Sequence, residues 1–120
     1  MATVEINSDN FESILTQNEI VLIDFWAAWC QPCGIFAPIY EQVSEDYPQI
    51  VFGKVDIDAH KEFAAAHKIQ SIPTLSLFRE RILIFSQAGV LSAAQLQNLV
   101  KQAQSLNMDE VRDEIRRQGE

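Results

Sequence analysis

IVLIDFWA, residues 20–27, is a nearly continuous apolar and aromatic run of strand length, and AWCQPCG, residues 28–34, picks up from its last residues. Such a run suits a central strand covered on both faces, with Asp24 as its one discordant residue. Helical periodicity then takes over after Cys30 through Ile35, Phe36, Ile39, Tyr40 and Val43. Pro38 falls inside that pattern, where it removes a backbone hydrogen bond and bends the axis, so one kinked helix ending near Tyr47-Pro48 is predicted. The strand thus hands the chain to a helix whose first turn holds Cys33, with Cys30 at its start.

Upstream, residues 3–6 read as a short strand, and Ser8 and Asp9 offer side-chain caps to a helix carrying Phe11, Ile14 and Leu15. Downstream, residues 50–56 form another apolar strand and 62–67 a short alanine-rich helix leading to QSIPT. Strands at 75–78 and 82–86 are separated by Arg79, Glu80 and Arg81, short enough only for an antiparallel hairpin. No glycine stands in that turn, so positive φ at Arg81 is costly and a longer or strained loop is expected. Ser92 caps a last helix with Leu96, Leu99 and Val100 on one face. The order βαβαβαββα predicts an α/β fold: a five-stranded mixed sheet, parallel in its first part, with an antiparallel hairpin at one edge and helices on both faces.

Residues 1–104 make one domain on this reading, and 105–120 a charged helical extension rather than a second domain. In the extension Asn107 caps a short helix with acids in its first turn and arginines in its last, matching the helix dipole. Its thin apolar stripe, Leu106, Met108, Val111 and Ile115, leaves three outcomes open: docking on the domain, pairing with another chain, or a loosely ordered tail.

Composition narrows the function. Nine Lys and Arg against seventeen acids give a net charge of −8, which supplies no basic face for nucleic acid or anionic lipid. The amino terminus MATVEINSDN lacks the basic start and apolar run of an export signal, and no stretch approaches bilayer-spanning length. A soluble, cytoplasmic monomer is expected. Two cysteines only, three residues apart, are too few and too close for the disulfide framework of a secreted mini-protein.

Cys30 lies just past the carboxyl end of the most buried strand, where open α/β sheets carry their sites. Unpaired backbone N–H groups and the positive helix end favour its thiolate, so it is the candidate attacking sulfur. Cys33 sits one turn inward on the same face and is the candidate resolving thiol, and Pro32 suits a first turn because its missing N–H has no helical partner there. A C-x-x-C pair also serves zinc, but a structural site wants four ligands, and His60 and His67, the only histidines, read as solvated groups flanking the third helix. No metal is expected.

VLIDFWAAWCQPCGIFAP, followed about forty residues on by SIPT and then by a glycine after the hairpin, resembles the thioredoxin family over residues 3 to about 104. The resemblance implies a protein-disulfide reductase with no bound cofactor, working through a redox-active Cys30-Cys33 disulfide. It also implies electrons drawn from NADPH through a flavoprotein thioredoxin reductase and passed to substrate proteins with disulfides. Asp24 looks like the family's buried aspartate that carries a proton to or from Cys33, and burial among Ile23, Phe25 and Trp26 favours its neutral form. Lys54 resembles the lysine that approaches this aspartate, although by itself it also reads as a strand-end surface cation. Ile72-Pro73 resembles the family's cis peptide beside the disulfide. Trp29, Gln31, Pro32, Ile72, Pro73 and Gly89 would line the substrate-binding rim; for Trp29 the alternative is a core aromatic.

The family's usual run is WCGPCK, where this chain has WCQPCG. Gly34 removes a nearby cation, and Gln31 brings an amide able to donate to the Cys30 thiolate, so a moderately less reducing protein is expected. Two other readings stand beside reduction: oxidation or isomerisation of disulfides, disfavoured by the absence of an export signal, and a fixed interaction module in which redox turnover is incidental.

Overall fold

In the computed structural model, which describes residues 2–119, the apolar run becomes the middle strand of a five-stranded sheet. The elements are β1 (Thr3–Glu5), α1 (Phe11–Gln17), β2 (Ile20–Trp26), α2 (Gln31–Glu45), β3 (Val51–Asp56), α3 (Lys61–Ala66), β4 (Thr74–Arg79), β5 (Ile82–Ala88), α4 (Ala93–Ser105) and α5 (Met108–Gln118). Strand order is β1-β3-β2-β4-β5. The first three run parallel, and β4 and β5 complete the sheet antiparallel. This is the predicted mixed sheet.

Because side chains alternate across a strand, β2 feeds two cores. Ile20 and Leu22, with Phe52, Leu75 and Leu77, pack beneath Phe36, Tyr40 and Val43 of α2 and Leu96, Val100 and Ala103 of α4. Val21, Ile23 and Phe25 turn to the other face, where they meet Ile6, Leu15 of α1, Ala64 of α3 and Phe78. Burial on both faces explains why β2 reads as a continuous run. Gly53 of β3 is required by close approach, since a Cβ there would collide with the Ile6 side chain.

Four local expectations are corrected. The α1 N-cap is Asn10, without a side-chain cap bond. In place of Ser8 and Asp9, the Asn7 carboxamide accepts from the backbone of Asp9 (2.9 Å) and Asn10 (3.2 Å), a side-chain-built turn that delivers the chain into the helix. The proline-bearing helix stops at Glu45, two residues before Tyr47. The hairpin loop is shorter than expected, two residues, and strained as expected: Glu80 and Arg81 both have positive φ, 50° and 71°. His67 is not a solvated group, for its ring packs against Phe63 (4.5 Å), Phe11 (4.9 Å) and Phe25 (5.7 Å), and burial lowers its pKa.

Asn107 caps α5 through Glu110 N (3.2 Å), and Met108 is buried against the domain while Ile115 stays exposed. No helix among the described residues is long and apolar enough to cross a membrane.

Candidate active site

The chain leaves β2 at Trp26 and enters α2 at Gln31, so Cys30 becomes the helix N-cap, with Pro32 in the first turn. Cys30 and Cys33 are joined as a disulfide, Cα atoms 5.3 Å apart. The Cys33 backbone N–H donates to Cys30 Sγ at 3.2 Å. When the bond is reduced, that N–H and the helix dipole are in place to hold negative charge on the Cys30 sulfur. Both sulfurs are nearly covered, Cys33 more so, at 3% against 7%.

Around the disulfide stand two other loops and Trp29 of the same β2–α2 loop. Ile72-Pro73 is a cis peptide, and the Ile72 carbonyl oxygen lies 3.7 Å from Cys30 Sγ. Gly89, at φ 110°, donates its N–H to Pro73 O (2.8 Å), which ties the loop after β5 to the loop before β4; a side chain at this φ is strained. Trp29 is 70% exposed and fixed by an indole N–H to Asp58 Oδ2 bond of 2.8 Å. With Ile35 and Val90, also exposed, it leaves apolar surface near the disulfide, while Gln31 and Pro32 stand exposed on the helix end.

Asp24 stands on β2, two residues before its end. It is fully buried, and neither carboxylate oxygen has a hydrogen-bond partner. Desolvation raises its pKa from 3.8 to about 7, against a smaller lowering by the Lys54 ammonium. Lys54 is Asp24's register partner on β3, with its Nζ 5.0 Å from the Trp26 ring centroid. A crevice of about 150 Å³ runs beside Cys30 and Cys33, between Gly34 and Ala37 on one wall and Trp26 and Lys54 on the other. A Cβ at Gly34 would meet nothing within 4 Å, so the missing lysine leaves this side open. Among the described residues no group of three or more His, Cys, Asp or Glu is arranged to hold a metal ion.

The structure thus brings Asp24, Lys54, Cys30, Cys33, Gln31 and Pro32 to one end of β2 and α2, with Trp29, Ile72, Pro73 and Gly89 around them. Sequence reasoning missed Asp58, whose link to Trp29 spans twenty-nine residues and carries no local signal. It read Tyr40 only as part of the helical face.

The thioredoxin family model matches residues 2–102. The chain belongs to the thioredoxin family. A Streptomyces coelicolor protein named "Putative thioredoxin 2" is 50% identical over 117 residues, covering 98% of this chain and 87% of that one. Thioredoxin 1 of Plasmodium falciparum is 36% identical over 103 residues, covering 86% and 99%. Among solved structures, a Plasmodium falciparum thioredoxin aligns with TM-score 0.75 at 35% identity over 83% of this chain and 97% of that one. A thioredoxin mutant from Halobacterium salinarum aligns with TM-score 0.80 at 26% identity over 88% and 92%. Thioredoxins are thiol–disulfide oxidoreductases, and this chain is a thioredoxin-like disulfide reductase with a Cys30-Cys33 redox pair.

Proposed function

We propose that Cys30 attacks and Cys33 resolves, with Asp24 as proton carrier for Cys33. The Cys30 thiolate attacks one sulfur of a target disulfide, that S–S bond breaks, and the first target thiolate leaves and takes a proton. Cys33, a buried thiol whose proton is otherwise held tightly, gives it to the Asp24 carboxylate and attacks Cys30. The mixed disulfide breaks, the second target thiolate departs, and the target has gained two electrons while Cys30-Cys33 is oxidised. The observation that carries this reading is a buried carboxyl with no partner, its pKa raised to about 7, two residues before the end of the strand that leads to the helix-start disulfide.

On the same reading Lys54 moderates the Asp24 charge, and Trp29, Gln31, Pro32, Ile72, Pro73 and Gly89 hold a target segment against Cys30. An NADPH-dependent thioredoxin reductase returns the electrons. The protein works as a cytoplasmic monomer, with residues 1–104 as the working domain and 105–120 as an extension to it; the net charge of −8 supports this. The test is trapping. Cys33→Ser is expected to lose dithiol-dependent insulin reduction and to accumulate adducts through Cys30, identified by mass spectrometry, whereas Cys30→Ser accumulates none. Adducts forming through Cys33 instead would reverse the roles.

A further inference from the structure

Tyr40 is fully buried, the largest side chain so enclosed, and its hydroxyl donates to the Gly53 carbonyl at 2.8 Å. Its place follows from the ladder. Gly53 is the register partner of Ile23, the residue before Asp24, and Lys54, the residue after Gly53, is the partner of Asp24 itself. Asp24 shares the parity of Ile20 and Leu22, so it faces α2, the helix that carries Tyr40. A buried hydroxyl therefore comes down from α2 beside a buried carboxyl that has no donor at all. The Tyr40 ring is packed against Phe36 (5.5 Å) and Phe52 (5.3 Å), so its oxygen is held in place, and the Asp24 carboxylate, which has no hydrogen-bond partner as it stands, must turn toward it for a bond to form.

We propose that Tyr40 is the hydrogen-bond donor that the Asp24 carboxylate takes up when it loses its proton, turning from Gly53 O to do so. Tyr40 is then a positioning residue, acting on Cys33 only through Asp24. An ionised carboxylate in this core otherwise has one attractive neighbour, the half-buried Lys54, and a bare buried anion without donors is far less stable than one with a single strong donor. The phenol keeps its proton throughout, because burial, with the Asp24 charge next, pushes its pKa well above the ordinary range. The other groups of the packed elements are accounted for: β4 contributes Leu75; α4 contributes Leu96, Val100 and Ala103; α2 adds Cys33, Glu41, whose carboxylate is held by Thr3 and the Ala2 backbone, and Ser44, whose hydroxyl donates to Glu41 O; and Glu5 of β1 stands exposed beyond Lys54. None of these supplies Asp24 with a second neutral O–H donor.

The experiment is a carbon-13 NMR titration of the Asp24 carboxyl in the oxidised protein, with Asp24→Asn to assign the signal. Tyr40→Phe is expected to raise the midpoint by about one pH unit, the difference made by one hydrogen bond to a charged acceptor. Incorporating 3-fluorotyrosine at position 40, which keeps the ring and makes a stronger donor, is expected to lower it. The same midpoint in all three proteins overturns the proposal, and a residue that merely fills space would lower stability without moving it. The kinetic arm rests on the proton-carrying role of Asp24 given above. There Tyr40→Phe slows resolution of the mixed disulfide about fivefold at pH 7, through the smaller carboxylate fraction, and adds nothing in an Asp24→Asn background. If Asp24→Asn leaves resolution unchanged, the proton-carrying role falls while the titration still judges Tyr40.

Discussion

Two charged side chains, Asp24 fully buried and Arg79 largely covered, lie toward opposite ends of the β2–β4 ladder, and the protein treats them in opposite ways. Arg79 pairs with Ile20 where β2 begins, and Asp24 stands four residues further along the same strand. The Arg79 guanidinium donates through Nη1 to the carbonyls of Ala103 (2.6 Å), Gln104 (3.2 Å) and Leu106 (2.9 Å), and through Nη2 to Glu19 (3.1 Å). It thereby supplies a donor to carbonyls at and just beyond the end of α4, where Ala103 O also accepts from Leu106 N–H (3.4 Å). Asp24 receives nothing from the surrounding protein atoms. Only Nε of Arg79 is left without a hydrogen-bond partner. A charge bonded at both terminal nitrogens ties elements together, whereas a bare one has a proton affinity that small changes can move.

The largest expected effect tests the bare charge. The folded-state pKa of Asp24, about 7, lies above its ordinary 3.8, so between those values the unfolded chain releases a proton that the folded protein keeps. Stability therefore declines as pH rises from about 4 to 7, and the penalty above that range is on the order of 4 kcal/mol. Asp24→Asn should remove this slope, leaving the variant the more stable protein at pH 8 and near parity at pH 4, in urea titrations at each pH. Parallel pH profiles for the two proteins would mean that Asp24 is compensated after all.

Arg79→Ala tests the widely bonded charge and should act the other way. Three carbonyls and Glu19 lose their donor, a loss of about 3 kcal/mol, with no new pH dependence between 4 and 8. Insulin reduction per folded molecule should stay at the wild-type rate, because Arg79 is at the far end of the sheet from Cys30. A large fall in specific activity would show that the two poles are coupled.

What the sequence disclosed of these two poles follows the range of the forces involved. The Ser92 capping box with Gln95, the Asn107 cap and the Cys30 helix start are set within four residues, and each is legible locally. The continuous run at β2 announced burial on both faces, and Asp24 stood out against it. Nothing local announced that Asp24 lacks a partner, since that depends on Tyr40 bonding to Gly53, thirteen residues away. Arg79 was read as a loop residue because its partners lie twenty-four to sixty positions distant, and His67 as a surface group because its aromatic neighbours come from α1, α3 and β2. Helical caps are short-range; satisfaction of buried charge is a property of the assembled fold.

The smallest effect concerns the turn beside Arg79. Two-residue hairpin loops of this hand need φ above zero at both positions, and Glu80 and Arg81 adopt it at 50° and 71° without the help of glycine or asparagine. Each such residue costs about 1 kcal/mol in backbone strain. The turn is held from outside: Glu80 N–H donates to Glu19 O (2.8 Å), Glu80 pairs with Arg112 of α5 (2.7 Å), and Arg81 approaches Glu12 (3.6 Å). The ion pairs are exposed and contribute little, so Glu80→Asn combined with Arg81→Gly should relieve more strain than it loses in contacts, a net gain of about 1 kcal/mol by urea titration. The Asp24 midpoint should not move, since the change stays at the Arg79 pole. If the double variant is instead less stable than wild type, the Glu80–Arg112 contact holds α5 and the hairpin together more strongly than exposed pairs do, and the extension is part of what keeps the far pole closed.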